Sequence, residues 1–374
     1  MSLSKLKKSL LSKLKGDEKH CLHALEQLLN EVPYDKMQYI GKLTFNNLLK
    51  RSLKKREKFQ SYKLKNKKVL DDLYVNKPIF ITGLPRSGTT LLQNLLINNL
   101  KIEGIQFWEL LSPIPLIDNN YIDQSFRKIK AHFLIEFAKL FGPKINAMHP
   151  MSLFSYEECW HIFLITFNII NVDLQLCISN YGEWIAKHSI GKAYEEYAEI
   201  LKIIISNRKK SRIILKCPEH MLFTDNINRT FPDSKIIWIH RDPIKSITSY
   251  TNMVYEIQKF FFGHSNKVEV ANSVSARFQK MIEKISFSKD KLGIEIIDIK
   301  YQDLIDDQKN TVQNLAEKCL ATMQINICEN KKQNLDQLKS KIKNEPEKLG
   351  IDTKILYNQF NDYMKRFNIS KEII

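Results

Sequence analysis

Two absences narrow this 374-residue sequence before any motif is read. Its six cysteines (Cys21, Cys159, Cys177, Cys217, Cys319 and Cys328) never fall into a C-x-x-C spacing. That excludes the common zinc and thioredoxin-like patterns and suits reduced thiols in a cytoplasmic protein. Nor does any uninterrupted apolar run reach the ~18 residues of a membrane span. The closest approach, Trp160 to Ile178, is broken by His161, Asn168, Asn171, Asp173 and Gln175. The first residues lack an apolar core followed by a small-residue cleavage site, so no secretory signal is expected. Internal repeats and low-complexity tracts are also missing.

Acidic residues are in short supply: 58 Lys/Arg face 41 Asp/Glu, a net charge of +17. Most of the excess lies in residues 1–70, which hold 18 Lys/Arg and 6 Asp/Glu. Such a balance suits an anionic small molecule, nucleic acid or an acidic membrane surface. The stretch "MSLSKLKKSLLSKLKG", residues 1–16, sets Leu3, Leu6, Leu10, Leu11 and Leu14 at helical spacing with lysines opposite. It reads as a helix lying on the domain or, alternatively, as a weak membrane-surface contact. "KKREKFQSYKLKNKK" reads as a solvated helical face. It has no repeating aromatics to stack bases, so no nucleic-acid partner is expected.

With 43% hydrophobic residues the chain can bury a sizeable core. From Ile79 onward, short apolar runs alternate with helical patterns. "IFIT" precedes a Leu-rich helix from Gly88. "RIILK" precedes one after Pro218, "KIIWIH" one from Pro243, and "IEIIDIKY" one from about Asp303. This alternation predicts an α/β fold: a P-loop-like parallel sheet flanked by crossover helices. Two or three basic helices fill residues 20–74, and "GIDTKILYNQFNDYMKRF" forms a final amphipathic helix. Residues 101–211, mostly helical in pattern, are too long for one crossover. They are read as a helical insertion over the active site, forming the acceptor pocket. Its Phe107, Trp108, Phe154, Tyr156 and Trp160 either line that pocket or pack in the core. The organisation expected is a basic segment over residues 1–30 and one α/β domain over 31–374.

One further absence falls inside a motif. "GLPRSGTT" carries Gly83 and Gly88 at the G-x-x-x-x-G spacing of a phosphate-binding loop. Gly83 allows a sharp turn after the strand, and Gly88 lets an anion approach the backbone. The amides of Ser87 to Thr90 then point outward at a helix start, where the dipole favours a phosphate. A nucleoside-triphosphate loop would carry Lys at position 89; here it is Thr89, followed by Thr90, and the cation is Arg86, upstream. No clear acidic magnesium ligand follows at a strand end, which argues against a kinase or NTP hydrolase. Far along the chain, "KIIWIHRDPIKSITSY" puts Arg241 at the carboxyl end of a strand, Asp242 as a helix N-cap and Pro243 as its first residue. Arg241 with Ser249 can grip a second phosphate.

A nucleotide with phosphates on both sides of its ribose meets that demand. The chain resembles the PAPS-dependent sulfotransferases, in the bacterial-type branch related to the tyrosylprotein sulfotransferases. "GLPRSGTTLL" resembles their 5′-phosphosulfate loop, and Arg241 and Ser249 match their 3′-phosphate pair. "LKCPEHMLFTDNINRTFPDSKIIWIHRDP" resembles the connecting stretch, with Lys216 facing the transferred group. "IQFWEL" resembles the segment that carries a catalytic carboxylate, here Glu109. "IKYQDL" resembles a late strand that places Tyr301 near the nucleotide. The weaker likeness runs from about Tyr34 to Phe367.

The resemblance implies sulfuryl transfer from PAPS to a hydroxyl or amine acceptor, with release of 3′,5′-ADP and no metal. Arg86, Lys216, the loop amides, Thr89 and Thr90 would stabilise the leaving phosphate. The base is open among three residues. Glu109 stands first. His149 follows, in "MHPMSLFSYEECW", where Glu157 and Glu158 could orient an imidazole. His220 is third, although the position at which the cytosolic animal branch carries its His is Pro218 here. A basic binding module for nucleic acid or anionic membrane is the reading from another class.

Overall fold

The structure, a computed structural model, describes residues 2–14, 18–100, 102–117, 120–188, 190–206, 208, 212–320 and 345–373. Cys328 lies outside the described residues. Five strands form a parallel sheet: β1 (Ile79–Gly83), β2 (Glu103–Gly104), β3 (Ile213–Lys216), β4 (Lys235–His240) and β5 (Ile296–Lys300), in the order β2-β3-β1-β4-β5. Four of them occupy the predicted apolar runs. β2, two residues long, was not predicted, because no periodicity fits so short an edge strand.

Helices α1 (Leu3–Leu11), α2 (Lys19–Glu31), α3 (Tyr39–Lys65) and α4 (Lys67–Asp71) precede the sheet, and α5 (Thr89–Asn99) follows β1. Between β2 and β3 lie α6 (Phe107–Leu111), α7 (Asn120–Phe141), α8 (Pro143–Met148), α9 (Trp160–Phe163), α10 (Ser179–Lys187) and α11 (Gly191–Ile205). This is the predicted helical insertion. After β3 come α12 (Thr224–Thr230), α13 (Pro243–Phe262), α14 (Lys267–Asp290), α15 (Tyr301–Asp306) and α16 (Gln308–Leu320). The final helix expected from the sequence is two short ones, Thr353–Gln359 and Asn361–Arg366, separated at Phe360.

Alternate strand residues serve two cores, one on each face of the sheet. Phe80, Leu215, Ile236 and Trp238 join a large core shared with the insertion, α13 and α14. Ile79, Ile81, Ile214, Ile237, Ile239 and Ile299 pack against α5 and α16. Burial on both faces is what makes these strands read as near-continuous Ile-rich runs. The pairing sets Ile81 beside Lys216 and Ile237, and Gly83 beside Ile239. The carboxyl ends of β1, β3 and β4 therefore meet at one edge.

The N-terminal segment belongs to the same body. Leu6 and Leu10 are buried in the large core, with Leu3, Leu11 and Leu14 packed against it. Of the two readings of this stretch the structure matches the helix lying on the domain: the apolar face that would meet lipid in the alternative faces the protein. A buried arginine ties this segment to the rest of the chain and lies inside the basic stretch read as a solvated helical face. Arg56 on α3, 2% exposed, donates to Glu18 (2.6 Å) and to both oxygens of Glu196 on α11 (Nη2 to Oε1, 2.8 Å).

Candidate active site

The loop from Gly83 to Thr90 is shaped by close neighbours. At Gly83 (φ 154°) a β-carbon would lie 2.7 Å from the Ile239 carbonyl oxygen. At Gly88 (φ 102°) it would lie 2.5 Å from the Tyr301 ring. The neighbour that Gly88 admits is thus an aromatic side chain. Arg86, between them, takes a left-handed backbone (φ 70°), a costly conformation for a bulky residue. The Ser87 amide closes the loop onto the Leu84 carbonyl (3.0 Å), so it does not point outward as expected. Its buried hydroxyl has no hydrogen-bond partner. The first-turn amides of α5 are the donors a helix start leaves over.

Asp242 caps α13 by accepting from the Ile244 amide (2.8 Å), with Pro243 in the first turn. That start sets Ser249 on the face toward the loop, where its hydroxyl accepts from Arg86 Nε (3.3 Å). Arg241 Nη1 donates to the Arg86 carbonyl (3.2 Å), and its guanidinium lies 3.9 Å from the centre of the Tyr301 ring. The rest of the fork is taken by a carboxylate: Nε and Nη2 of Arg241 each reach Glu372, both at 2.7 Å. Burial pushes the Arg86 pKa down, the nearby Glu158 opposes this, and Arg241 adds to it. At Arg241 burial works downward too, but the Glu372 pair outweighs it and the result is a rise.

At the end of β3 the Lys216 side chain is fully buried. Its ammonium donates to Thr90 Oγ1 (2.9 Å) and lies 3.7 Å from Glu158. Thr90 and Glu158 line a cavity of about 1160 Å³, along with Arg86, Gly88, Thr89, Arg241, Ser249, Tyr301 and Glu372. Lys216 sits just behind them. Much of the rest of the lining is apolar: Phe45, Leu48, Phe107, Trp160, Leu164 and Met253 contribute. Of the five insertion aromatics, Phe107 and Trp160 reach the cavity. Trp108 is buried beneath Arg127 (4.8 Å), Phe154 is 54% exposed, and Tyr156 lies at a bridge to Gln106.

The three candidate bases separate sharply. Glu109 is committed elsewhere. One oxygen accepts from the Gln106 amide (2.8 Å) in a capping box at the start of α6, and the other binds Arg208. It does not line the cavity, because the box and the ion pair hold it away. His220 is a core residue: Nδ1 meets the Tyr194 hydroxyl (2.8 Å), its ring sits edge-on to Phe80, and burial lowers its pKa to about 3. His149 does line the cavity, with Nε2 3.0 Å from Glu157. Glu157 also accepts from Ser155 (3.0 Å). Burial pushes Glu157 up, but the hydrogen bond and charge of His149, then Lys216, hold it down at about 2.

Several groups escaped the sequence reading. For Glu158 it was the partner that escaped: named with Glu157 as able to orient an imidazole, it lies 3.7 Å from the Lys216 ammonium. Glu219 lines the cavity, and burial followed by repulsion from Glu158 lifts it to about 7. His161, stacked on Trp160 (3.8 Å), is pushed by burial to about 3. Glu372 carried no signal at all.

With this geometry in hand, the comparison with known proteins is specific. A family model described as Sulfotransferase family matches residues 78–323, which include the loop, Lys216, Arg241, Ser249 and Tyr301. The chain belongs to the sulfotransferase family. Among its relatives is omega-hydroxy-beta-dihydromenaquinone-9 sulfotransferase Stf3 of Mycobacterium bovis. The two are 24% identical over 271 residues, covering 67% of this chain and 64% of the relative. The Mycobacterium tuberculosis protein of the same name matches equally. In fold, this sulfotransferase-family chain is similar to sulfotransferase STF1 from Mycobacterium tuberculosis H37Rv. The TM-score is 0.80 at 19% identity, over 97% of this chain and 99% of the other. Sulfotransferase STF9 from Mycobacterium avium gives the same TM-score and identity, over 99% and 97%.

Proposed function

We propose that this chain transfers a sulfuryl group from 3′-phosphoadenosine 5′-phosphosulfate to an acceptor hydroxyl. A bond forms between the acceptor oxygen and sulfur as the bond from sulfur to the 5′-phosphate oxygen breaks. The products are a sulfate ester, 3′,5′-ADP and a proton. One observation carries the reading: Arg86 and Ser249, with Arg241, converge on the same cavity as Thr90, which Lys216 backs. Two anion sites from distant parts of the chain thereby share one pocket. The donor suits the residues present. Glu372 in the Arg241 fork is a stand-in anion where the 3′-phosphate would lie. The orphaned Ser87 hydroxyl and the α5 amides offer donors for the 5′-phosphosulfate.

Lys216 and Arg86 would stabilise charge on the departing phosphate, with Thr89 and Thr90 completing the cradle. His149 takes the acceptor proton: it faces the cavity and an ionised Glu157 orients it, an arrangement that makes an imidazole an effective base. The acceptor is an apolar, lipid-like alcohol. The mycobacterial relatives are named for a hydroxylated menaquinone, and much of the cavity lining is aliphatic and aromatic. The five described cysteines are free, which suits a reducing, cytoplasmic setting.

The test is thermal stabilisation by 3′,5′-ADP, set against ATP and 5′-AMP, followed by mass detection of extract lipids heavier by one SO3 after incubation with labelled donor. The reading predicts a clear shift for 3′,5′-ADP, little for the other nucleotides, and a sulfated product. No shift with 3′,5′-ADP sinks it.

A further inference from the structure

The helix α7 has two apolar faces. One, carrying Ala131 and Ile135, is buried together with Asp123 and Arg127. That side is anchored: Asp123 accepts from the amides of Leu116 (2.6 Å) and Ile117 (3.2 Å), and Arg127 donates to the Ser112 carbonyl (2.7 Å). At 3.6 residues per turn the opposite side bears Ile122, Phe126, Ile129, Phe133, Phe137 and Leu140 in one stripe. All six are exposed, from 48% at Phe137 to 74% at Leu140. The stripe follows most of a helix roughly 33 Å long. A soluble monomer rarely leaves so continuous an apolar row uncovered.

The charges beside it indicate what covers it. Lys130 flanks the stripe, and Arg51, Lys54 and Lys58 on α3 stand near it; all four are exposed. Burial, and after it repulsion from Lys58, Arg51 and Lys54, lowers the Lys130 pKa. Among the described residues none of these four cations lies within ion-pair distance of a carboxylate. An isologous contact with a second copy would tend to bring two such basic edges together, whereas an anionic lipid surface would neutralise them. The stripe also leads toward the cavity, since α8 begins two residues after α7 and its Ile145 lines the wall.

We propose that the exposed face of α7 docks on an anionic membrane surface, with the aromatic row entering the headgroup boundary and the α3 cations paired with lipid phosphates. This surface is independent of the sulfuryl-transfer reading. If that reading also holds, the cavity takes its acceptor directly from the bilayer.

Flotation of the full chain with vesicles tests it, using phosphatidylcholine alone and phosphatidylcholine mixed with phosphatidylglycerol. The wild-type chain is expected to float with the mixed vesicles, much less with the neutral ones, and to be released by salt. Phe126→Glu, Phe133→Glu and Phe137→Glu together should lower the partition coefficient at least tenfold while circular dichroism and melting stay unchanged. Arg51→Glu, Lys54→Glu and Lys58→Glu together should abolish the preference for anionic vesicles. The proposal is overturned if the wild type stays in solution, or if either folded variant floats as well as the wild type. It is equally overturned if the wild type is a dimer that ignores vesicles and the phenylalanine variant a monomer. None of these readouts uses nucleotide, so this outcome and that of the sulfuryl-transfer test are separate.

Discussion

Two buried carboxyl groups in the cavity are shifted in opposite directions. Glu157 is buried yet ionised, because His149 donates to it. On the proposed function, His149→Ala lowers kcat by about 10²- to 10⁴-fold, the range of a lost general base, while 3′,5′-ADP affinity stays level. Single-turnover assays beside calorimetry separate the two effects. Glu219 is the contrary case, its carboxyl lifted to about 7 by burial and then by Glu158. Unfolded, it would titrate near 4.3. Between these values the folded chain binds more protons than the unfolded one, so this group's contribution to stability is full below about pH 4.3 and is lost as pH rises through 7. Glu219→Gln removes that loss. Melting at pH 8 should rise by a few degrees, reflecting about 2–4 kcal/mol, and little should change at pH 4.

At the scale of elements, the closing segment matters as much as the strands. The Glu372 amide donates to Asp242, the residue that caps α13, and the Tyr357 hydroxyl lies 2.8 Å from both Asp242 and the Ile373 carbonyl, able to donate its one proton to either. These contacts hold the Glu372 carboxylate in the Arg241 fork. On the proposed function a 3′-phosphate entering that fork must displace it, so Glu372→Gln should tighten 3′,5′-ADP binding about tenfold while leaving 5′-AMP unaffected. That figure corresponds to about 1.4 kcal/mol, the order of one charge-assisted contact, and calorimetry reads it directly. The capping geometry also gives Glu109 a local role. In "QFWE" the Gln and Glu stand three apart before an apolar run, the spacing of a capping box, and the carboxylate fills it.

Across the whole molecule, local patterns were legible in the sequence and distant partnerships were not. The β1 loop, the β4–α13 junction and four strands follow from runs of Ile, a few glycines and an Asp-Pro start, each acting on its immediate neighbours. The membership of Glu372 in the site, and the tie of Arg56 to Glu18 and Glu196, depend on chain segments brought together only by the completed fold. Arg56 is the clearest case, since a basic stretch read as solvated contains a cation buried across three elements. Arg56→Met should cost about 3–5 kcal/mol by taking the guanidinium away from two buried carboxylates, seen as a lower urea midpoint.

On the proposed function Tyr301 lies between the two anion sites, one ring edge against Gly88 and one face beneath Arg241. Those contacts couple the sites mechanically. Gly88→Ala would force the ring aside, and the guanidinium resting on it would lose its seat. A methyl group in the loop near the 5′ end of the nucleotide should therefore weaken recognition at its 3′ end. Binding of 3′,5′-ADP and 5′-AMP to both proteins reads this as a thermodynamic cycle: the variant should lose more of the affinity supplied by the 3′-phosphate than an independent pair of sites would allow.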